Sequence, residues 1–150
     1  MQANTRLFGE IDIEEEKLIR FPEGIIGFPD LKIFTLIFDE EKTSSNIMWL
    51  QSMDEPTFAM PVMNPLLVVP EYNPIIDEEA FRALGTLTEE NTLCFTTVTV
   101  PSDIKDISIN LKAPIIINSD ERKARQVILE EDYEIKFKIF DILSAAKEGA

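Results

Sequence analysis

The groups best able to do chemistry in this chain are carboxylates, gathered in four runs: Glu14-Glu15-Glu16, Asp39-Glu40-Glu41, Asp77-Glu78-Glu79 and Glu130-Glu131-Asp132. Neighbouring carboxylates can form an acid/base pair or ligate a hard cation. Their consecutive spacing, however, lacks the alternation of a calcium loop, and all four runs fall at expected turns or helix starts, where acidic side chains are solvated. The 150 residues contain no histidine, which removes Ser-His-Asp hydrolysis and imidazole zinc sites. The single cysteine, Cys94, makes neither a thiolate cage nor an internal disulfide. With Thr96, Val98 and Val100 on its own parity and no imidazole to activate it, it is a buried structural thiol. No lysine follows a glycine loop, and Gly24 with Gly27 is not a dinucleotide fingerprint. The one enzymatic alternative left is a carboxylate-based or metal-dependent domain.

Charge points instead to binding. Twenty-eight Asp and Glu against fourteen Lys and Arg give a formal net charge of −14, a field that repels phosphate backbones and attracts basic surfaces. The densest basic group, Arg122, Lys123 and Arg125, is too small to grip several phosphates, which argues against direct nucleic-acid binding. An apolar content of 45% is that of a folded chain, and this length buries roughly 68 to 70% of its unfolded surface, enough for one domain over residues 1–150. Neither a secretory pattern nor an apolar run of ~18 residues is present, and one cysteine suits a reducing compartment, so a cytoplasmic, membrane-free location is expected.

The elements that must position these groups are mostly short strands. Leu7, Gly9, Ile11 and Ile13 share a parity, as in one half-buried strand or a tight strand pair. Further strands are expected at Leu18 to Phe21, Leu31 to Phe38, Met48 to Gln51, Phe58 to Val62, Leu93 to Val100, Ile107 to Leu111, Ile115 to Ile117, Val127 to Leu129, and Ile135 to Ile139. About nine or ten strands at this spacing predict an all-β, mainly antiparallel, barrel-like fold with one or two short helices. Residues 23–29 carry the glycines and prolines of an ordered turn. One internal helix has an Asp77 cap, Glu78 and Glu79 in its first turn and Gly85 to end it, with Ala80, Phe81 and Leu84 facing inward. Residues 139–150 form a loose tail or a frayed helix.

Six segments, taken in order over residues 1 to about 133, resemble the flagellar assembly factor FliW family. They are Arg6-Leu7-Phe8-Gly9-Glu10-Ile11; Phe21-Pro22-Glu23-Gly24-Ile25-Ile26-Gly27-Phe28; Trp49-Leu50-Gln51-Ser52 with Pro56 and Phe58; Asn64-Pro65; Asn110-Leu111-Lys112-Ala113-Pro114-Ile115-Ile116-Ile117-Asn118; and Gln126-Val127-Ile128-Leu129 with Tyr133. The resemblance implies a small, barrel-like cytoplasmic protein without enzymatic activity or cofactor. It also implies two partners, flagellin, through its terminal helix-forming region, and the RNA-binding translational repressor CsrA. The tail beyond Ile139 departs from the pattern.

Flagellin's helices would need an apolar groove, for which Phe28, Phe34, Met48, Met53, Met60 and Met63 are the candidate lining, methionine being adaptable at such surfaces, while ordinary core is the other reading of the same residues. The repressor contact is expected at Glu71, Asp77, Glu78 and Glu79, with the Asp54-Glu55 turn second. Gly24 and Gly27 are expected to serve backbone geometry.

Overall fold

In the computed structural model, which describes residues 1–38 and 46–148, Gln2–Thr5 (β1) and Gly9–Asp12 (β2) form an antiparallel hairpin. Thr5 Oγ1 accepts from Phe8 N and donates to Gly9 O, both at 2.9 Å, and Gly9 takes φ +68°. Leu7 and Phe8 therefore lie in the turn of a tight strand pair. The Asp39-Glu40-Glu41 run lies outside the described residues.

The main sheet uses Ile19–Arg20 (β3), Ile33–Ile37 (β4), Met48–Ser52 (β5), Ala59–Met63 (β6), Thr92–Thr99 (β7), Ser108–Ile109 (β8), Ile115–Asn118 (β9), Lys123–Gln126 (β10) and Phe137–Lys138 (β11). Strands β7, β6, β5, β4, β3, β10 and β9 follow one another, and β9 pairs back onto β7, closing a seven-stranded barrel. Closure removes the free edges that an open sheet would expose. Strands β8 and β11 extend from β7, and every pairing is antiparallel except β3 with β10.

The apolar side chains sort into two cores. Phe21, Phe34, Leu50, Val62, Ile115 and Ile117 fill the barrel, with Phe21 and Phe34 edge-on at 5.0 Å. Ile116 and Met63, of opposite parity to Ile115 and Val62, lie in a second core with Tyr72, Ala80, Leu84, Ile109, Leu129 and Ile139. This is why residues 115–117 carry no polar alternation: both faces of β9 are covered.

The helix Glu78–Ala83 (α1) forms as its caps require: Asp77 Oδ1 accepts from Ala80 N at 2.8 Å, and Gly85 turns the chain with φ +81°. Ala80 and Leu84 are buried, but Phe81 is 47% exposed, a correction to its expected inward position. The tail forms Phe140–Glu148 (α2), seated against the second core through Phe140, Ile142 and Leu143.

Two expected strands also change. Asn110 Oδ1 accepts from Lys112 N and Ala113 N, ending β8 after two residues. Val127 to Leu129 is not a ladder strand; β10 comes just before it, and Val127 N and Leu129 N donate to Pro114 O and Lys112 O.

Candidate functional site

The groove expected from methionines and aromatics does not stand open at the surface. Met63 and Phe34 are fully buried and Met53 is 4% exposed, while Met48 and Met60 pack partly buried against the barrel core. They alternate along strands whose inner and outer faces are both occupied, so their volume is spent on packing. Phe28 alone of this group is well exposed, at 45%, with its ring tilted against Phe58 at 4.7 Å. Phe28 is presented by the 23–29 turn, where Ile25 and Phe28 exchange two backbone hydrogen bonds.

The acidic candidates are all exposed: Glu71, Asp77, Glu78, Glu79, Asp54 and Glu55. Two of them are tied into the frame. Asp77 caps α1, and Asp54 Oδ2 accepts from Lys32 N at 2.6 Å and Ile33 N at 2.9 Å, fastening the β5–β6 turn to the start of β4. Glu55 Oε1 accepts from Thr57 Oγ1 at 2.8 Å within that turn. Beneath it the buried Gln51 amide donates to Ser52 O, Pro56 O and Phe58 O. Glu78 pairs along the helix with Arg82 at 2.6 Å, an exposed pair of small energetic weight. Glu71 and Glu79 are exposed on the surface.

Two carboxylate runs far apart in sequence meet in space. Asp77, Glu130 and Glu131 border one shallow depression of about 180 Å³ together with Ile75, Val127 and Ile128. Glu131 Oε1 accepts from Ile75 N at 2.7 Å, clamping residues 72–77 against the segment after β10. Ile75 and Ile128 are 72% and 63% exposed. Sequence reasoning missed both: Ile75 lies in none of the expected elements, and Ile128 lies in a segment expected only as a strand. Its parity was the usable signal: Val127 and Leu129 are buried and Ile128 between them is not.

Among the described residues, no three His, Cys, Asp or Glu side chains are grouped to hold a metal ion. Burial pushes the Cys94 thiol up to about 12, away from the thiolate needed for nucleophilic work. No helix of the described residues is long and apolar enough to cross a membrane. The surface offers shaped, negatively charged relief and a few exposed aliphatics, an arrangement suited to protein recognition.

Comparison with known proteins agrees in sequence and in fold. The family model described as FliW protein matches residues 2–139. Flagellar assembly factor FliW of Lachnospira eligens is 44% identical over 146 residues, covering 95% of this chain and 97% of that protein. That of Caldanaerobacter subterraneus is 42% identical and covers 100% of both chains. A crystal structure of the flagellar assembly factor FliW superposes with a TM-score of 0.86 at 30% identity, covering 93% of this chain and 97% of that one.

Proposed function

The chain belongs to the FliW family of flagellar assembly factors, and from that premise we propose that it is a cytoplasmic, non-enzymatic partner-switching regulator of flagellin production. It binds newly made flagellin through flagellin's terminal, helix-forming region, and it binds the repressor CsrA. When flagellin accumulates it occupies this protein and releases CsrA to silence the flagellin message. When flagellin is exported, the protein returns to CsrA and translation resumes.

The observation that carries this reading is a net charge of −14 displayed on a closed barrel. A body of that charge, docked beside an RNA-binding surface, repels phosphate without covering the RNA site. Glu71, Glu78 and Glu79, with Asp77 at the head of α1, form the contact we assign to the repressor, and Glu55 at the β5–β6 turn adds to it. All are exposed on a frame fixed by the Asp77 cap and the Asp54 clasp. Because that frame is already in place, little ordering cost attends docking.

Titration calorimetry of the purified chain against flagellin and, separately, against CsrA tests the proposal. Saturable binding to each, with flagellin displacing CsrA, is expected. Absence of binding to either partner overturns it.

A further inference from the structure

Two buried polar atoms of β5, Trp49 Nε1 and Gln51 Oε1, have no hydrogen-bond partner among the described residues. One is a donor and the other an acceptor. The ladder through β5 is regular on both sides, with Trp49 opposite Ile37 and Pro61 and Gln51 opposite Thr35 and Ala59. Residues 49 and 51 therefore point the same way, away from the barrel core that Leu50 enters. Turning the Gln51 amide over would not relieve its oxygen. The amide nitrogen donates to Ser52 O, Pro56 O and Phe58 O at 2.8, 3.0 and 3.1 Å, and an oxygen in its place would face three carbonyls.

Both atoms lie under one cover, residues 6–8 at the turn of the β1–β2 hairpin. Arg6 N donates at 3.3 Å to Pro56 O, the carbonyl that also accepts from Gln51, and Arg6 Nε donates to Thr57 O at 3.2 Å. Two residues on, the Phe8 ring meets the Trp49 ring edge-on with centroids 6.5 Å apart. Gln51 is fully buried. A buried acceptor in that position carries its whole desolvation penalty unless something donates to it.

Whatever satisfies the pair must accept from the indole N–H and donate to the amide oxygen. A metal cation or an ammonium ion has no lone pair for the indole, and a halide has no proton for the amide. Burial shuts out larger species. Water does both, and two hydrogen bonds of about 2.9 Å meeting at one oxygen bridge a gap of about 5 Å. Side chains two apart on one strand face are rooted roughly 6.6 Å apart, which puts their ends within that reach.

We propose that a single water is bound between Trp49 Nε1 and Gln51 Oε1, sealed beneath residues 6–8 as a permanent part of the fold. It completes a chain of hydrogen bonds from Trp49 through the Gln51 amide to Pro56 O and Arg6 N. The hairpin shares no ladder with the barrel among the described residues, and this chain is one of the ties that hold it there.

Trp49 is the only tryptophan, so the indole proton of the isotope-labelled full chain gives one resonance. Magnetisation transfer from water to that proton, measured in the rotating frame where dipolar transfer and proton exchange differ in sign, is expected to be dipolar. It is expected to persist in T35V, which removes the hydroxyl opposite Gln51 and with it relay through an exchanging side chain. It is expected to vanish in Q51L. No dipolar transfer in the unsubstituted chain, its loss in T35V, or undiminished transfer in a folded Q51L overturns the proposal.

A crystal structure of the unsubstituted chain decides the matter even if Q51L fails to fold. One density peak within roughly 2.7–3.2 Å of both atoms supports the site. No density there, a protein atom accepting from Trp49 Nε1, or the indole N–H seated on the face of the Phe8 ring overturns it.

Discussion

The Glu121 carboxylate occupies the space beside Gly85 where any Cβ would stand. Its Oε2 accepts from Thr86 N at 3.2 Å and from the buried Asn118 amide at 3.1 Å, so the end of α1 and the β9–β10 turn are joined through one acidic side chain. Gly85 also holds φ +81°. G85A would both strain the backbone and evict Glu121, whereas a methyl at Gly27, with φ +89°, meets open space. At Gly24, with φ +70°, the added atom would meet Pro29 O at 2.5 Å and Phe28 O at 2.6 Å, both backbone. The expected order of lost stability is G24A, then G85A, then G27A, the last costing about 1 kcal/mol. Thermal unfolding of the three checks it, and G27A being the most damaging would contradict the geometry.

Met63 and Phe28 separate packing from presentation. Met63→Ala empties part of the second core and should lower stability by about 2–5 kcal/mol. Phe28→Ala, at a residue 45% exposed, should cost much less. Denaturant titration measures both, and equal losses would contradict the burial difference.

The thiol of Cys94 and the phenol of Tyr72 fix the alkaline behaviour. Burial raises Cys94 from an ordinary 9.0 to about 12 and raises Tyr72 above its ordinary 10.0. In both, the folded chain holds its proton after the unfolded chain has released it. Stability is therefore full below pH 9 and falls as pH rises toward 12. Urea midpoints between pH 8 and pH 10.5 should fall less steeply in C94A than in the unsubstituted chain, and equal slopes would contradict the assignment to Cys94.

Association with CsrA should slow as salt rises from low to physiological strength, where the screening length shortens to about 8 Å. Stopped-flow rates follow this directly. A salt-independent rate would remove the steering assigned to the −14 charge.

How much of this was legible beforehand depends on the element. Apolar, β-branched and aromatic runs bounded by turn residues located β4 to β7 and β9 within a few positions, and the Asp77 to Gly85 signals located α1, because these are local effects. Barrel closure through β9 onto β7 was expected only as a class, since pairing partners are not written in local periodicity. The sequence leaves the methionines open between groove and core, because an apolar side chain looks the same in sequence whether a second core covers it or water does. Here residues 65–84 and α2 supply that cover for Met63. The acidic runs stand far apart in sequence, and only folding brings Glu130 and Glu131 to Asp77.

The central claim is regulation by occupying other proteins, and the most direct measurement is CsrA binding to a flagellin leader RNA in the presence of this chain. Adding the chain should relieve RNA binding, and adding flagellin should restore it. RNA binding unchanged at saturating chain, or relief that flagellin fails to reverse, would contradict the account.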